Sequence, residues 1–310
     1  MGKMGLKTRH FLSMNDFTPN EVQELLDYAI TLKSRGWISL LKNKTLAILF
    51  EKPSLRTRVS FEVAMRQLGG QTIYLSPAEV GLGKRESIPD VARVLSRYVD
   101  AISCRTFAHS NLEEMAEYSR VPVINALSDY EHPCEALADL LTIYEKKGKL
   151  KGLTLAFIGD GNNVANSLVL ACTMTGVNFN IASPKGYTID ESVLKKARGY
   201  AKTSGAKIFC TEDPRVAAKD VDVVYTDTWT SMGQEAEAEV RRKVFADYQI
   251  NEKLLALTKK NSIIMHCLPA HHGEEVAVGI LDSPRSVVFD QAENRMHAQK
   301  ALLAWILAKK

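Results

Sequence analysis

Apolar positions near the amino end fall into a helical rhythm, Val22, Leu25, Leu26, Ala29 and Ile30, at three- and four-residue spacing. Thr18 before Pro19, with Glu21 three positions on, supplies a capping box, and Gly36 marks the end of this predicted helix. Short apolar runs at 45–50, 72–75, 101–105 and 121–125 then alternate with helical patterns at 56–68, 89–99 and 112–119. A longer helix is expected over 133–147, followed by a charged stretch containing Gly148 and Gly152. After it the alternation resumes, with strands expected at 153–158, 177–182, 207–210, 222–225, 262–266 and 286–289, and helices starting near Asn163, Asp190 and Glu235. A last helix, 292–308, carries Leu302, Leu303, Trp305, Ile306 and Leu307. Strands alternating with helices predict parallel sheets. The fold class is therefore α/β: two doubly wound parallel-sheet domains, with the active site expected in an interdomain cleft at the strands' carboxyl ends.

Length agrees with that division, since 310 residues exceed the size at which one hydrophobic core stops growing, about 250–300. Hydrophobic residues at 45% and charged ones at 25% are ordinary for a globular protein, and no short-period repeat suggests a solenoid. The net charge of +4 is small and no basic run marks a nucleic-acid arm, so neither nucleic acid nor membrane is an expected partner. The amino end lacks the apolar core of a secretory signal, which points to a cytoplasmic protein. Five cysteines without a C-x-x-C pair argue against disulfides or a zinc knuckle. Cys172 and Cys210, in apolar runs, are expected in the core.

Four segments carry chemistry. Phe50-Glu51-Lys52-Pro53-Ser54-Leu55-Arg56-Thr57-Arg58 runs from a strand through a turn into a helix, where backbone N–H groups, hydroxyls and a guanidinium can hold a phosphate. It is not a Walker loop, because G-x-x-x-x-G-K is absent. His132-Pro133-Cys134-Glu135 opens a helix and offers a ring N–H to an oxygen. Asp227, beyond a strand end and ahead of Ser231-Met232-Gly233, can hold a cationic amine. In His266-Cys267-Leu268-Pro269 the thiol can serve as nucleophile, metal ligand or hydrogen-bond partner, and the sequence does not rank these. No helical His pair supports a metal site, and none is expected.

These segments, with Glu293-Asn294-Arg295 and in this order, resemble the aspartate/ornithine carbamoyltransferase family. The Ser-x-Arg-Thr-Arg and His-Pro features are common to the family, whereas Ser-Met-Gly and His-Cys-Leu-Pro resemble its ornithine branch. The resemblance implies a carbamoyl-phosphate-binding domain over 1–148, joined by the helix 292–310, and an ornithine-binding domain over 149–291. It implies that Ser54, Leu55 through its backbone, Arg56, Thr57, Arg105, His132, Glu135, Cys267, Leu268 and Arg295 hold carbamoyl phosphate. Asn163, Asp227, Ser231 and Met232 would hold ornithine, and Arg105, His132, Asp227 and Cys267 would be catalytic. It further implies transfer of the carbamoyl group to the δ-amine of ornithine without a cofactor, in a homotrimer or a multiple of trimers, with the loop 76–89 reaching a neighbour.

Rival readings are weaker. Gly159-Asp160-Gly161 after a strand hints at a dinucleotide site, but Val164 stands where the third glycine belongs. A non-catalytic relative would be expected to have lost motif residues that are all present. Another acceptor, putrescine or N-acetylornithine, fits the Ser231-Met232-Gly233 loop less well than free ornithine. Two residues depart from the family pattern: Leu55 replaces the usual Thr and Glu135 the usual Gln. Leu55 keeps its N–H, but Glu135 adds negative charge beside an anionic substrate. Glu135→Gln should therefore retain activity and lower the KM for carbamoyl phosphate in steady-state assays; a higher KM would refute the repulsion.

Overall fold

The computed structural model describes residues 10–83, 85–231 and 233–308, so Met232 lies outside the described residues. They divide into two compact units. One comprises the described residues up to Cys134 with those from Arg295 onward, and the other is Glu135–Asn294. Every pairing between named strands is parallel, as the strand-helix alternation requires.

The first unit runs α1 (Pro19–Arg35), β1 (Thr45–Phe50), α2 (Leu55–Gln67), β2 (Gln71–Leu75), α3 (Pro77–Val80), α4 (Ile88–Leu95), β3 (Ala101–Arg105), α5 (His109–Tyr118) and β4 (Val123–Leu127). α6 (Pro133–Lys147) starts at its end. The Thr18–Glu21 capping box forms, and α1 buries Val22, Leu25, Leu26, Ala29 and Leu32. The sheet order is β2-β1-β3-β4. β1 and β3 are buried almost throughout because helices cover both faces. Ala47, Leu49, Ile102, Leu112, Met115 and Val123 form one of its cores. Lys300 is fully buried, and its ammonium donates to the carbonyls of Leu32 and Gly36 and to Gln67 Oε1. A cation at the carbonyl end of α1 satisfies groups the helix leaves open and favours the negative pole of its dipole.

The second unit runs β5 (Thr154–Ile158), α7 (Asn163–Thr175), β6 (Asn178–Ala182), α8 (Glu191–Ser204), β7 (Ile208–Thr211), α9 (Pro214–Ala218), β8 (Val223–Thr226), α10 (Ala238–Val244), α11 (Glu252–Leu255) and β9 (Ile263–His266). α12 (Val288–Ala308) begins here, and its residues from Arg295 belong to the first unit. The order is β7-β6-β5-β8-β9. Phe245, Trp229, Tyr248, Ile250 and Ile264 contribute to its core.

Two expectations are corrected. No strand forms over 286–289: Ser286 makes a single bridge to Ile264, and α12 takes over from Val288. Phe289, 71% exposed, shows that the apolar run has no second face to bury, and so short a run does not distinguish strand from helix. Cys210 is exposed rather than in the core, because β7 is the end strand of its sheet and only β6 flanks it. Cys172, on α7, is buried as expected. Among the described residues no helix is long and apolar enough to cross a membrane.

Candidate active site

In a doubly wound sheet, the strands on either side of the point where the order reverses send their loops in opposite directions and leave a crevice at their carboxyl ends. In the first unit that point lies between β1 and β3. Phe50 and Arg105, the last residues of these strands, are register partners, and Glu51 N–H donates to the Arg105 carbonyl at 2.8 Å. The turn 51–54 leaves β1 here and delivers Ser54 to the N-cap of α2. Ser54 makes no side-chain cap. Its hydroxyl instead donates to Thr57 Oγ1 at 3.0 Å. The first-turn N–H groups of residues 55–57, which a helix cannot pair with its own carbonyls, point out at the positive dipole end. Leu55 contributes only backbone there, its side chain being 76% exposed.

Around this turn the fold gathers cations. Arg295 Nη2 donates to Thr57 Oγ1 at 2.6 Å, bringing a residue 238 positions away to the turn. Thr57, Arg105, His132 and Arg295 are all buried, while Arg56 on the first turn is half-buried. Burial holds the His132 ring well below its ordinary pKa, and the neighbouring Arg295 and Arg105 guanidiniums add to the shift. His132 is therefore a neutral imidazole, able to donate one hydrogen bond without carrying charge. Lys52, not among the residues the sequence singles out, is also buried, with its ammonium 4.3 Å from the centre of the Phe107 ring. Its position within the turn was the available signal.

In the second unit the reversal lies between β5 and β8. Asp227 follows β8 and is gripped on both oxygens: Oδ1 accepts from Cys267 Sγ at 3.0 Å and from Thr228 N–H at 2.8 Å, and Oδ2 accepts from Asn162 Nδ2 at 2.8 Å. Asn162 also caps α7, accepting from the N–H groups of Val164 and Ala165. Asn163, expected to hold ornithine, is the first residue of α7, and its neighbour Asn162 makes the contact with Asp227. Cap and amide donor are one side chain, which spacing alone did not reveal. Ser231 N–H donates to Gln234 Oε1 at 3.1 Å, closing a turn of the loop after Asp227.

Cys267 follows β9. Its thiol is pushed well above the ordinary value, first by burial, then by Asp227 and Glu135. Of the three roles the sequence leaves open, the geometry displays the hydrogen-bonding one, a protonated thiol donating to Asp227. Asp227, His266 and Cys267 have ligand-type atoms within 4.8 Å of one another, yet both His266 ring nitrogens are engaged. Nδ1 accepts from Leu268 N–H at 2.8 Å and Nε2 lies 3.1 Å from Glu275 Oε1. This fixes the tautomer and, with it, the left-handed Leu268 (φ 55°) in the His-Cys-Leu-Pro turn. Glu135, near the start of α6, is buried, and its charge is felt at both Cys267 and Tyr225.

Residues 9–145 match the carbamoyl-phosphate-binding domain model of aspartate/ornithine carbamoyltransferases, and residues 151–306 match the Asp/Orn-binding domain model. An ornithine carbamoyltransferase of Anoxybacillus flavithermus is 55% identical over 306 residues, covering 97% of this chain and 98% of that protein. The solved structure of the Pyrococcus furiosus ornithine carbamoyltransferase is 52% identical, with a TM-score of 0.95, covering 98% of this chain and 99% of that one. An acetylornithine transcarbamylase solved with acetylcitrulline is 32% identical, with a TM-score of 0.89 and coverage of 97% and 99%. With both domain models matched and half of its residues identical to such relatives across almost its whole length, this chain belongs to the aspartate/ornithine carbamoyltransferase family.

Proposed function

We propose that the protein transfers the carbamoyl group of carbamoyl phosphate to the δ-amine of L-ornithine, giving L-citrulline and phosphate, as the names of its relatives at 51–55% identity state for them. The observation that carries the reading is the Thr57–Arg295 hydrogen bond at the open end of α2, beside Arg105 and neutral His132. This is the donor set a phosphoanion with an attached carbonyl requires. Ser54, Arg56, Thr57, Arg295 and the Leu55 N–H hold phosphate; Arg105, His132 and Thr57 face the carbamoyl oxygen. Glu135 and the Leu268 backbone serve the carbamoyl NH2. Asp227 draws in the amine, with Cys267 beside it; Asn163, Ser231 and Met232 hold the rest of ornithine.

The chemistry needs no covalent enzyme intermediate. The neutral δ-amine attacks the carbamoyl carbon, an N–C bond forms, the C–O bond to phosphate breaks, and the proton lost from nitrogen passes to phosphate or solvent. Negative charge grows on the carbonyl oxygen and then on the leaving group, so donors fixed at those positions stabilise the transition state more than the ground state. Asp227 favours the ammonium form of ornithine, and desolvation opposes it. Holding two small reactants in line supplies much of the remaining acceleration. An anabolic role in arginine biosynthesis is supported by the Pyrococcus furiosus relative named anabolic; a cytoplasmic location is our reading from the sequence alone. The assembly the resemblance implies is a homotrimer or a multiple of trimers.

Citrulline formation measured with ornithine, putrescine and N-acetylornithine tests the reading: ornithine should have by far the highest kcat/KM, and a preference for either alternative would overturn it. Thr57→Ala should lower kcat by about 10²–10³-fold, the cost of losing one preorganised donor. A second expectation concerns pH. Because His132 has a folded-state pKa below the ordinary 6.5, the unfolded chain takes up this proton first as pH falls. The stability contributed by the neutral ring is present above that value and is lost below it. Thermal unfolding from about pH 8 to about pH 5 should show a smaller decline for His132→Gln than for the parent chain; parallel declines would mean the ring is not held neutral.

A further inference from the structure

Arg241, on α10, is used by none of the chemistry above, yet its side chain is only 7% exposed. Nη1 donates to Asp160 Oδ2 at 2.7 Å and to the Trp229 carbonyl at 3.0 Å, while Nε donates to Glu237 Oε2 at 3.0 Å. The guanidinium carbon also lies 5.0 Å from the centre of the Tyr187 ring. Asp160 belongs to the turn after β5 and Trp229 to the loop after β8, the two segments on either side of the reversal of strand order. Each also contributes to the grip on the acceptor-side carboxylate. Asn162, two residues after Asp160, donates to Asp227, which lies two residues before Trp229.

The surroundings leave this guanidinium little latitude. Gly161 N–H donates to the Tyr187 carbonyl at 2.7 Å, and a Cβ on Gly161 would lie 2.2 Å from Ile189 N, so the turn is seated directly on the segment that carries the Tyr187 ring. Tyr187 and Trp229 both pack on Phe245, with ring centroids 4.9 and 6.1 Å away, and Phe245 N–H donates to the Arg241 carbonyl. One planar fork thus ties two loops and an aromatic cluster together. A lysine ammonium, a point charge on a flexible stem, cannot hold the Asp160 carboxylate, the Trp229 carbonyl and Glu237 in those fixed directions at once.

We propose that Arg241 is a positioning residue for the amine acceptor: by clamping Asp160 to the Trp229 carbonyl it sets the separation of the two loops, and so places Asn162 and Asp227 for ornithine. The proposal rests on Asp227 being the acceptor-side carboxylate. Clamping acts chiefly on the acceptor, because the groups it holds adjoin Asn162 and Asp227, whereas the phosphate-holding residues Ser54, Arg56, Thr57 and Arg295 lie in the first unit.

Steady-state kinetics of Arg241→Lys, Asp160→Asn, their double variant and Asp227→Asn, with unfolding temperatures for each, test it in the full-length enzyme. Arg241→Lys and Asp160→Asn should each raise the KM for ornithine by at least roughly tenfold, with the KM for carbamoyl phosphate within about twofold of the parent. The double variant should be little worse than either single one, as coupled partners require. A merely structural role would lower the unfolding temperature and the amount of active enzyme while leaving the KM for ornithine where it was, and that result overturns the proposal. So does an equal rise in both KM values. If Asp227→Asn is impaired while the clamp variants keep the parent KM for ornithine, the clamp alone fails; if Asp227→Asn is itself unimpaired, the acceptor assignment fails with it. Should the lysine variant not fold, Asp160→Asn decides by the same ratio.

Discussion

Arg105, His132 and Arg295 share one buried corner of the first unit, and the cost of crowding positive charge there is the constraint on which the proposed anion site depends. Burial disfavours a charged imidazole, the two guanidiniums disfavour it further, and so the ring gives up its proton before either arginine does. What remains is a site with two fixed charges, one neutral donor and the open end of α2, the inverse of a phosphate. Thr57 organises this corner, taking hydrogen bonds from Arg295 and from Ser54. Ser54 stands at an N-cap but turns its hydroxyl to Thr57 rather than to the helix backbone.

The proposed acceptor side, around Asp227, solves the opposite problem. There a carboxylate must be held without being neutralised, and Asp227 is oriented by a thiol, an amide and a backbone N–H, none of which carries a charge. These neutral donors spend lone pairs of the carboxylate without cancelling its field, so a cationic amine is still attracted. The raised pKa of Cys267 belongs to the same arrangement, because a thiolate beside Asp227 and within reach of Glu135 would place like charges together. Both sides use the crevice that a reversal of strand order creates, in two sheets of different size.

Much of this was legible in the sequence, and the reason differs from place to place. β1, β3 and α6 fall where the pattern puts them, because short buried strands between helices produce sharp apolar runs, and Pro133 is a strong helix start. The Thr18 capping box was legible because its signal is local. Long-range contacts were not. Nothing near Arg295 says that it meets Thr57, and only resemblance to a family supplied that link. Arg241 lies in a polar helix whose surface looks solvated until the fold buries one of its arginines. The role of Asn162 was not legible either, because spacing does not show that the amide capping α7 also reaches the loop after β8. The exposure of Cys210 depends on its strand being last in the sheet, which pairing order decides and hydropathy does not.

The central claim is that His132 is kept neutral by its burial and by the neighbouring Arg295 and Arg105 guanidiniums. Nuclear magnetic resonance of the His132 ring nitrogens across a pH titration, with and without inorganic phosphate, measures it directly. A ring that stays neutral to well below 6.5 in the free protein, and whose pKa rises when phosphate binds, is the predicted result. An ordinary titration near 6.5 that phosphate leaves unmoved would contradict it.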